Sequence, residues 1–253
     1  MKRAICFFSG TGNTCHVAWK IQERFPDASL FFIPETDPAL LADFDEITVC
    51  SPTHIFGLPE IVRKFVSRWT FPGTPRVNLV MTAGGSPALS VPLMRQALRR
   101  TGKTLAFFAW VKMPNNYIIA YPVTPEDKQA LADSPAKIGA VLDDLEKGTV
   151  QTFRSRFWGF LKGFQKIAAH SAPWTSRFYK VSGCISCGQC VKACPTANIV
   201  LGPKGPAFGN RCTGCLGCLN LCPVRAIDFG SLTRGKERYV HPGIDLTVRR
   251  PRP

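Results

Sequence analysis

Eight of the eleven cysteines in this 253-residue chain form two runs, Cys184-x2-Cys187-x2-Cys190-x3-Cys194-Pro195 and Cys212-x2-Cys215-x2-Cys218-x3-Cys222-Pro223, offset by 28 residues. Thiolates bind soft metals, so spacing decides which chemistry they serve. Three sulfurs at successive three-residue steps can be presented by one tight backbone turn to three corners of a cube, with backbone amides facing the sulfurs. The fourth corner must be reached from elsewhere. Proline after Cys194 and after Cys222 ends the local helical turn and swings the fourth thiolate toward the other half. Structural zinc fits less well, because zinc sites pair cysteines across longer loops. A disulfide framework suits small secreted chains rather than a chain of this length.

Each run resembles, residue for residue, the pattern of bacterial two-cluster ferredoxins, in which the fourth cysteine of one run ligates the other cluster. The resemblance implies two [4Fe-4S] clusters, one on Cys184, Cys187, Cys190 and Cys222, the other on Cys212, Cys215, Cys218 and Cys194. Ile185, Val191, Thr213, Leu216 and Leu219 would then surround the clusters with mostly apolar side chains. Ile199 and Ile227, equivalent across the repeat, would supply a small core.

The remaining chemistry lies near the N-terminus. Ala4 to Phe8 is a short apolar run ending in Ser9-Gly10-Thr11-Gly12-Asn13-Thr14, and a helical pattern follows through Val17, Ala18, Ile21 and Phe25. A small-residue loop between strand and helix can fold its amides and hydroxyls around a phosphate. It lacks the closing Gly-Lys-Ser/Thr of a P-loop and the third glycine of the dinucleotide fingerprint. It holds no cation, so an anion there would be bound by neutral donors. Further strands are expected at Ser29–Ile33, Ile47–Ser51, Val77–Thr82 and Leu105–Trp110, with helices at Glu60–Ser67, Leu89–Arg100 and Pro125–Leu145. That alternation predicts an α/β fold with a parallel sheet covered on both faces and ligands at the carboxyl ends of its strands. Two further loops leave that edge, Pro52-Thr53-His54-Ile55-Phe56-Gly57 and Ala83-Gly84-Gly85-Ser86.

Ser9-x-Thr11-Gly12-Asn13-Thr14 resembles the FMN-phosphate loop of flavodoxins, and the next two loops are similar to those that sandwich the flavin ring. With the cysteine runs, the chain resembles flavodoxin–ferredoxin fusion proteins of anaerobic prokaryotes. The resemblance implies a flavodoxin-like doubly wound five-stranded sheet of order 2-1-3-4-5 plus a small α+β two-cluster ferredoxin domain. It implies FMN phosphate at Ser9, Thr11, Gly12, Asn13 and Thr14, and the ring between Pro52, Thr53, His54, Ile55, Phe56 and Gly57 on one side and Ala83, Gly84, Gly85 and Ser86 on the other. The chain departs from the pattern in offering His54 and Phe56 where many flavodoxins place tyrosine or tryptophan. Lys112-Met113-Pro114-Asn115-Asn116-Tyr117 is read either as a ligand or interdomain contact or as a plain surface loop. Cys6, Cys15 and Cys50 read as buried small hydrophobes.

The expected organisation is 1–148 for the FMN-binding domain, 149–178 for a basic amphipathic helical connector, 179–230 for the two-cluster domain and 231–253 for a C-terminal tail, with Arg249-Arg250-Pro251-Arg252-Pro253 read as a solvated end. The connector's stripe of Phe153, Phe157, Phe160 and Phe164 suits packing against a domain, with a membrane surface or partner helix as alternatives. Charge is uneven: residues 1–150 carry 16 Lys/Arg against 14 Asp/Glu, residues 151–253 carry 16 against 3. Such a basic half attracts anionic partners, with an acidic redox protein ahead of nucleic acid, for which no reading motif is present. No leader and no long apolar run are apparent, which predicts a cytoplasmic protein, and oxygen-labile clusters suit an anaerobic one. These readings predict electron transfer between two clusters and FMN as a carrier or adaptor, with a flavin-dependent reductase of a small acceptor or a non-catalytic module as alternatives.

Overall fold

The computed structural model describes residues 1–87, 89–151 and 172–252. The first half is a five-stranded parallel sheet built from β1 (Arg3–Phe7), β2 (Ser29–Phe32), β3 (Glu46–Pro52), β4 (Arg76–Ala83) and β5 (Leu105–Lys112), in the order β2-β1-β3-β4-β5. This is the flavodoxin-like topology, with the order reversing between β1 and β3. Central strands β1, β3 and β4 are buried almost throughout, as parallel strands covered on both faces must be.

Helices α1 (Asn13–Arg24) and α4 (Pro125–Glu146) cover one face, with Val17, Ile21, Ile138, Val141 and Leu145 packed over Ile5, Phe7 and Val80. Helices α2 (Glu60–Ser67) and α3 (Ser90–Arg99) cover the other, where Val62, Phe65, Met94 and Leu98 meet Cys6, Val49 and Leu79. Thr124 starts α4 with a reciprocal capping box to Asp127. The expected strands fall within a few residues of those observed. Ile33, read as the end of β2, instead opens a short 3-10 turn with Pro34 at its first positions, because proline cannot donate to the ladder.

The second half carries the internal repeat. Strand β6 (Tyr179–Val181) pairs antiparallel with β9 (Ile227–Phe229), and β7 (Ile199–Gly202) with β8 (Gly205–Phe208); the short helices α5 (Gln189–Ala193) and α6 (Gly217–Leu221) face each other. Tyr179, Leu216, Leu219 and Ile227 form its small core, joined by Ile118 from the first half.

The final segment corrects the expected solvated end at Arg249, which is anchored, while Arg250, Pro251 and Arg252 are exposed. Residues 239–252 run back across the first half as a strap that includes the small β10–β11 hairpin (Ile244–Asp245 with Arg250–Pro251). Ile244 and Leu246 are buried in the α1 face of the core. The Arg249 carbonyl accepts from Trp19 Nε1 at 3.0 Å and from Cys15 Sγ at 3.3 Å, and its guanidinium lies 4.0 Å over the Phe32 ring. Sequence favoured a free end because the segment has no periodicity; its anchors are single contacts to a distant helix. The connector stripe at 153–164 lies outside the described residues. Among those described, no helix is long and apolar enough to cross a membrane.

Candidate functional site

The two cysteine runs fold into equivalent turns, and the repeat reaches down to the dihedral angles. Left-handed backbone recurs 28 residues apart at Ser186 (φ 56°) and Gly214 (φ 66°), at Gly188 (φ 71°) and Leu216 (φ 56°), and at Ala197 (φ 47°) and Arg225 (φ 52°). A left-handed non-glycine residue costs about 1–2 kcal/mol, so the same strain at matched positions marks a geometry that the turns must adopt. That geometry aims amides at sulfur. Ser186 N donates to Cys184 Sγ at 3.4 Å and Gly214 N to Cys212 Sγ at 3.4 Å. Asn198 N donates to Cys194 Sγ and Ala226 N to Cys222 Sγ, both at 3.2 Å. Donors aimed at sulfur favour the thiolate, the form that binds metal.

The halves interlock at the fourth cysteines. Cys184, Cys187, Cys190 and Cys222 line one cavity together with Ile185, Leu201 and Val224. Cys194 lies close enough to interact electrostatically with Cys212, Cys215 and Cys218. Four sulfurs around a cavity are the donor set that a cubane takes. The donor set and its amide shell therefore fit [4Fe-4S] clusters.

At the carboxyl edge of the sheet, the Ser9–Thr14 loop leads into α1 with an unusual start. Helix α1 has no side-chain cap and no acidic residue in its first turn, yet Asn13, Thr14 and Cys15 are buried. A buried, uncapped helix start leaves amides without an acceptor and a positive dipole end without a counter-charge, which suits an anion. Two hydroxyls beside that start act as acceptors. Ser9 Oγ accepts from Gly12 N at 3.1 Å and Thr11 Oγ1 accepts from Asn116 Nδ2 at 2.9 Å, so each O–H stays available to donate. Thr14 Oγ1 pairs with Thr82 Oγ1 at 2.7 Å, and Asn13 spends its side chain on Pro114 O and on the Tyr239 hydroxyl. Ser9, Thr11 and the first-turn amides thus fit a phosphate, whereas the Asn13 side chain is a structural clamp.

The loop's glycines have a reason that the sequence does not reveal. A Cβ on Gly10 would lie 2.7 Å from the Cys215 carbonyl oxygen, and one on Gly12 would lie 2.8 Å from the Cβ of His241. The second half and the strap press directly on the loop. Gly217 meets the Gly10 carbonyl, and His241 N donates to Thr11 O at 2.8 Å. The His241 ring stacks on His16 with centroids 4.2 Å apart. Burial first, then proximity to His16, lowers its pKa to about 4. Gly243 N donates to its Nδ1, which places the ring proton on the buried Nε2.

The Asn-rich segment after β5 proves to be an interdomain bridge. Asp127 holds its backbone by accepting from Asn115 N at 2.7 Å; Asn116 reaches Thr11, and its carbonyl accepts from Asn220 Nδ2 of α6 at 3.1 Å. The segment therefore touches the anion loop at one end and the cysteine repeat at the other.

The two other edge loops flank the same region. Residues 54–57 form a tiny hairpin in which His54 and Gly57 exchange backbone hydrogen bonds, with Ile55 at φ 46° and Phe56 at φ 64°. Left-handed backbone at a β-branched residue is an outlier, and strain of this kind collects at functional sites. Phe56 is 48% exposed at the tip, while His54 sits edge-on to Phe8. Pro52 ends β3, and Thr53 N donates to Thr82 O. Ala83 is buried and its carbonyl accepts from Met113 N; Gly84 abuts Asn115, and Gly85 and Ser86 are exposed. Cys6, Cys15 and Cys50 are buried, and burial pushes the Cys15 thiol up to about 12. His241, Tyr239 and Asn220 were missed from sequence; the first two lie in no motif, Asn220 is a non-ligand position between Cys218 and Cys222, and only the fold brings them to the loop.

Residues 180–200 and 209–225 match two family descriptions, each a 4Fe-4S binding domain. Over 50 residues the chain is 40% identical to a ferredoxin of Pyrobaculum islandicum, a match that takes in 19% of this chain and 47% of that one. The chain thus spans about half the length of that curated relative. Among solved structures, a flavodoxin from the domain Archaea is 19% identical, with 58% of this chain and 99% of that chain covered at a TM-score of 0.41. The two-electron reduced flavodoxin of Megasphaera elsdenii is 24% identical, with 51% and 94% covered at a TM-score of 0.40. The flavodoxin-like assignment of the first half stands on its sheet order.

Proposed function

We propose that this protein is an electron carrier or adaptor that holds two [4Fe-4S] clusters and FMN in one folded unit. One observation carries the reading: the Cys215–Gly217 turn of one cysteine set packs directly on Gly10 of the anion loop. Bound clusters and flavin supply one- and two-electron chemistry, and the protein supplies position, burial and electrostatics. Cys184, Cys187, Cys190 and Cys222 would hold one cluster, and Cys212, Cys215, Cys218 and Cys194 the other. Ser9, Thr11 and the first-turn amides of α1 would hold the FMN phosphate. The 52–57 and 83–86 loops would flank the ring.

The surrounding residues keep these parts together. Asn116 ties Thr11 to Asn220, and Tyr239 ties Asn13 to Asn220 by donating its hydroxyl to the one and its N–H to the other, so the anion loop and the cysteine repeat cannot separate without breaking both links. Exposure of Phe56, Gly85 and Ser86 favours a second reading, in which a small acceptor reaches that edge and the protein acts as a flavin-dependent reductase.

Anaerobic purification with iron, sulfide and flavin quantified tests the proposal. Eight irons and one FMN per chain, with both cofactors titrating by EPR and optical spectroscopy, would support it. A fully loaded two-cluster protein that fails to bind added FMN would remove the flavin from the reading. Steady turnover of a quinone-like acceptor would favour the reductase.

A further inference from the structure

We infer that the two cysteine sets face in different directions, and that the face bearing Cys184, Cys187, Cys190 and Cys222 docks an acidic one-electron redox protein. This deepens the cluster reading above and rests on it.

The inner set is covered at Cys215. Cys215 is 9% exposed and belongs to the core cluster of the first half, and its turn is closed over by Gly10. The outer set reaches solvent at Cys187, the one exposed cysteine among the eight of the runs; apart from Cys215 and Cys187, members of both sets are half-buried. Three apolar side chains lining that cavity remain in solvent, Ile185 at 61%, Leu201 at 39% and Val224 at 44%. Apolar groups grouped around a redox cavity in an otherwise polar surface mark a contact site.

Charge selects the partner. From Lys180 to Ala226 the chain has five Lys/Arg and no Asp/Glu. Lys204 sits in the β7–β8 turn, and its neighbour Gly205 lies so near Cys184 that a Cβ built on it would be 3.2 Å from the Cys184 Cβ; Arg225 adjoins Val224. Two oxidised clusters on eight thiolates would contribute about −4, which the five cations offset, so the rim does not repel an acidic surface. An apolar centre with a basic rim is complementary to a carboxylate-ringed redox protein and steers its approach. A second basic groove, lined by Arg63, Lys64, Arg68 and Arg100, lies at the carboxyl ends of α2 and α3. Those ends point to the sheet edge away from the loops, and Glu60 already engages Arg63 and Lys64.

The test measures binding rather than turnover. Full-length protein of quantified iron content is titrated with an acidic two-cluster ferredoxin, with basic cytochrome c as the control, at about 50 mM and about 200 mM salt, the span over which charge screening rises. Lys204→Glu should weaken binding about tenfold at low salt, and Leu201→Ser should weaken it severalfold at both, each with iron content and cluster absorbance unchanged. Arg68→Glu/Arg100→Glu should leave affinity as in the wild type. Absence of wild-type binding, unchanged affinity in Lys204→Glu, or a loss confined to Arg68→Glu/Arg100→Glu would overturn the docking face. A sample that cannot hold iron would overturn the cluster reading instead, so the two failures are distinguishable.

Discussion

Gly217→Ala isolates the contact between the two halves. Gly217 opens α6, where alanine is the better helix former by up to about 1 kcal/mol, so local propensity alone predicts stabilisation. The new Cβ would sit 2.5 Å from the Gly10 carbonyl oxygen, a backbone atom that cannot rotate aside. Relieving that overlap means moving one half against the other, and overpacking of this kind costs about 1–3 kcal/mol. The net expectation is a loss of about 0.5–2 kcal/mol, or roughly a 2- to 30-fold drop in the population with the halves seated. Gly139→Ala is the matched control: it lies inside α4 with nothing within 4 Å of its Cβ position. There the same substitution should stabilise by up to about 1 kcal/mol. Denaturant unfolding under anaerobic conditions gives both signs, and hydrogen exchange at residues 10–15 reports whether the seat has opened. If Gly217→Ala is as stable as Gly139→Ala and residues 10–15 stay protected, the interdomain contact does not constrain the fold and the reasoning fails.

Other outcomes follow from single contacts. Tyr239→Phe removes the 2.6 Å hydrogen bond to Asn13 Oδ1 and leaves that oxygen without its donor, a loss of about 1–3 kcal/mol to be seen as faster proteolysis of 236–252. His241 has a pKa of about 4 in the fold against an ordinary 6.5, so the unfolded chain binds more protons between those values. Stability should therefore fall as pH drops from 7 to 5, by up to about 2 kcal/mol through this group, and His241→Gln should flatten that part of the profile. Crossed ligation predicts that Cys222→Ser spares the centre on Cys212, Cys215 and Cys218 while Cys194→Ser spares the one on Cys184, Cys187 and Cys190; EPR of each variant would distinguish this from ligation within a run. Cys15 should resist alkylation in the folded protein, since burial holds its thiol protonated, and mass spectrometry after thiol labelling checks it.

Much of the first half was legible because its determinants are local. Apolar runs at β1, β3 and β4 need both faces covered, and the helices between them carry their own periodicity. Matched left-handed turns were implicit in the 28-residue repeat, although glycine stands at only one member of two of the pairs, Gly214 opposite Ser186 and Gly188 opposite Leu216, so the backbone requirement was half hidden. The Asn-rich segment announced polarity without saying what it would bridge. The packing of the tail was not legible because Tyr239 and Asn13 lie 226 positions apart, and no pattern near either one encodes the pairing.

Sequence alone determined the ligand types, their spacing and the strand–loop–helix that carries the anion loop, since these depend on bonds and periodicities within a few residues. Tertiary structure decided what presses on Gly10 and Gly12, and that Cys215 is buried against the loop while Cys187 is exposed. Those outcomes depend on how close two separately folded surfaces come, and a missing Cβ records only that something approaches, not what it is.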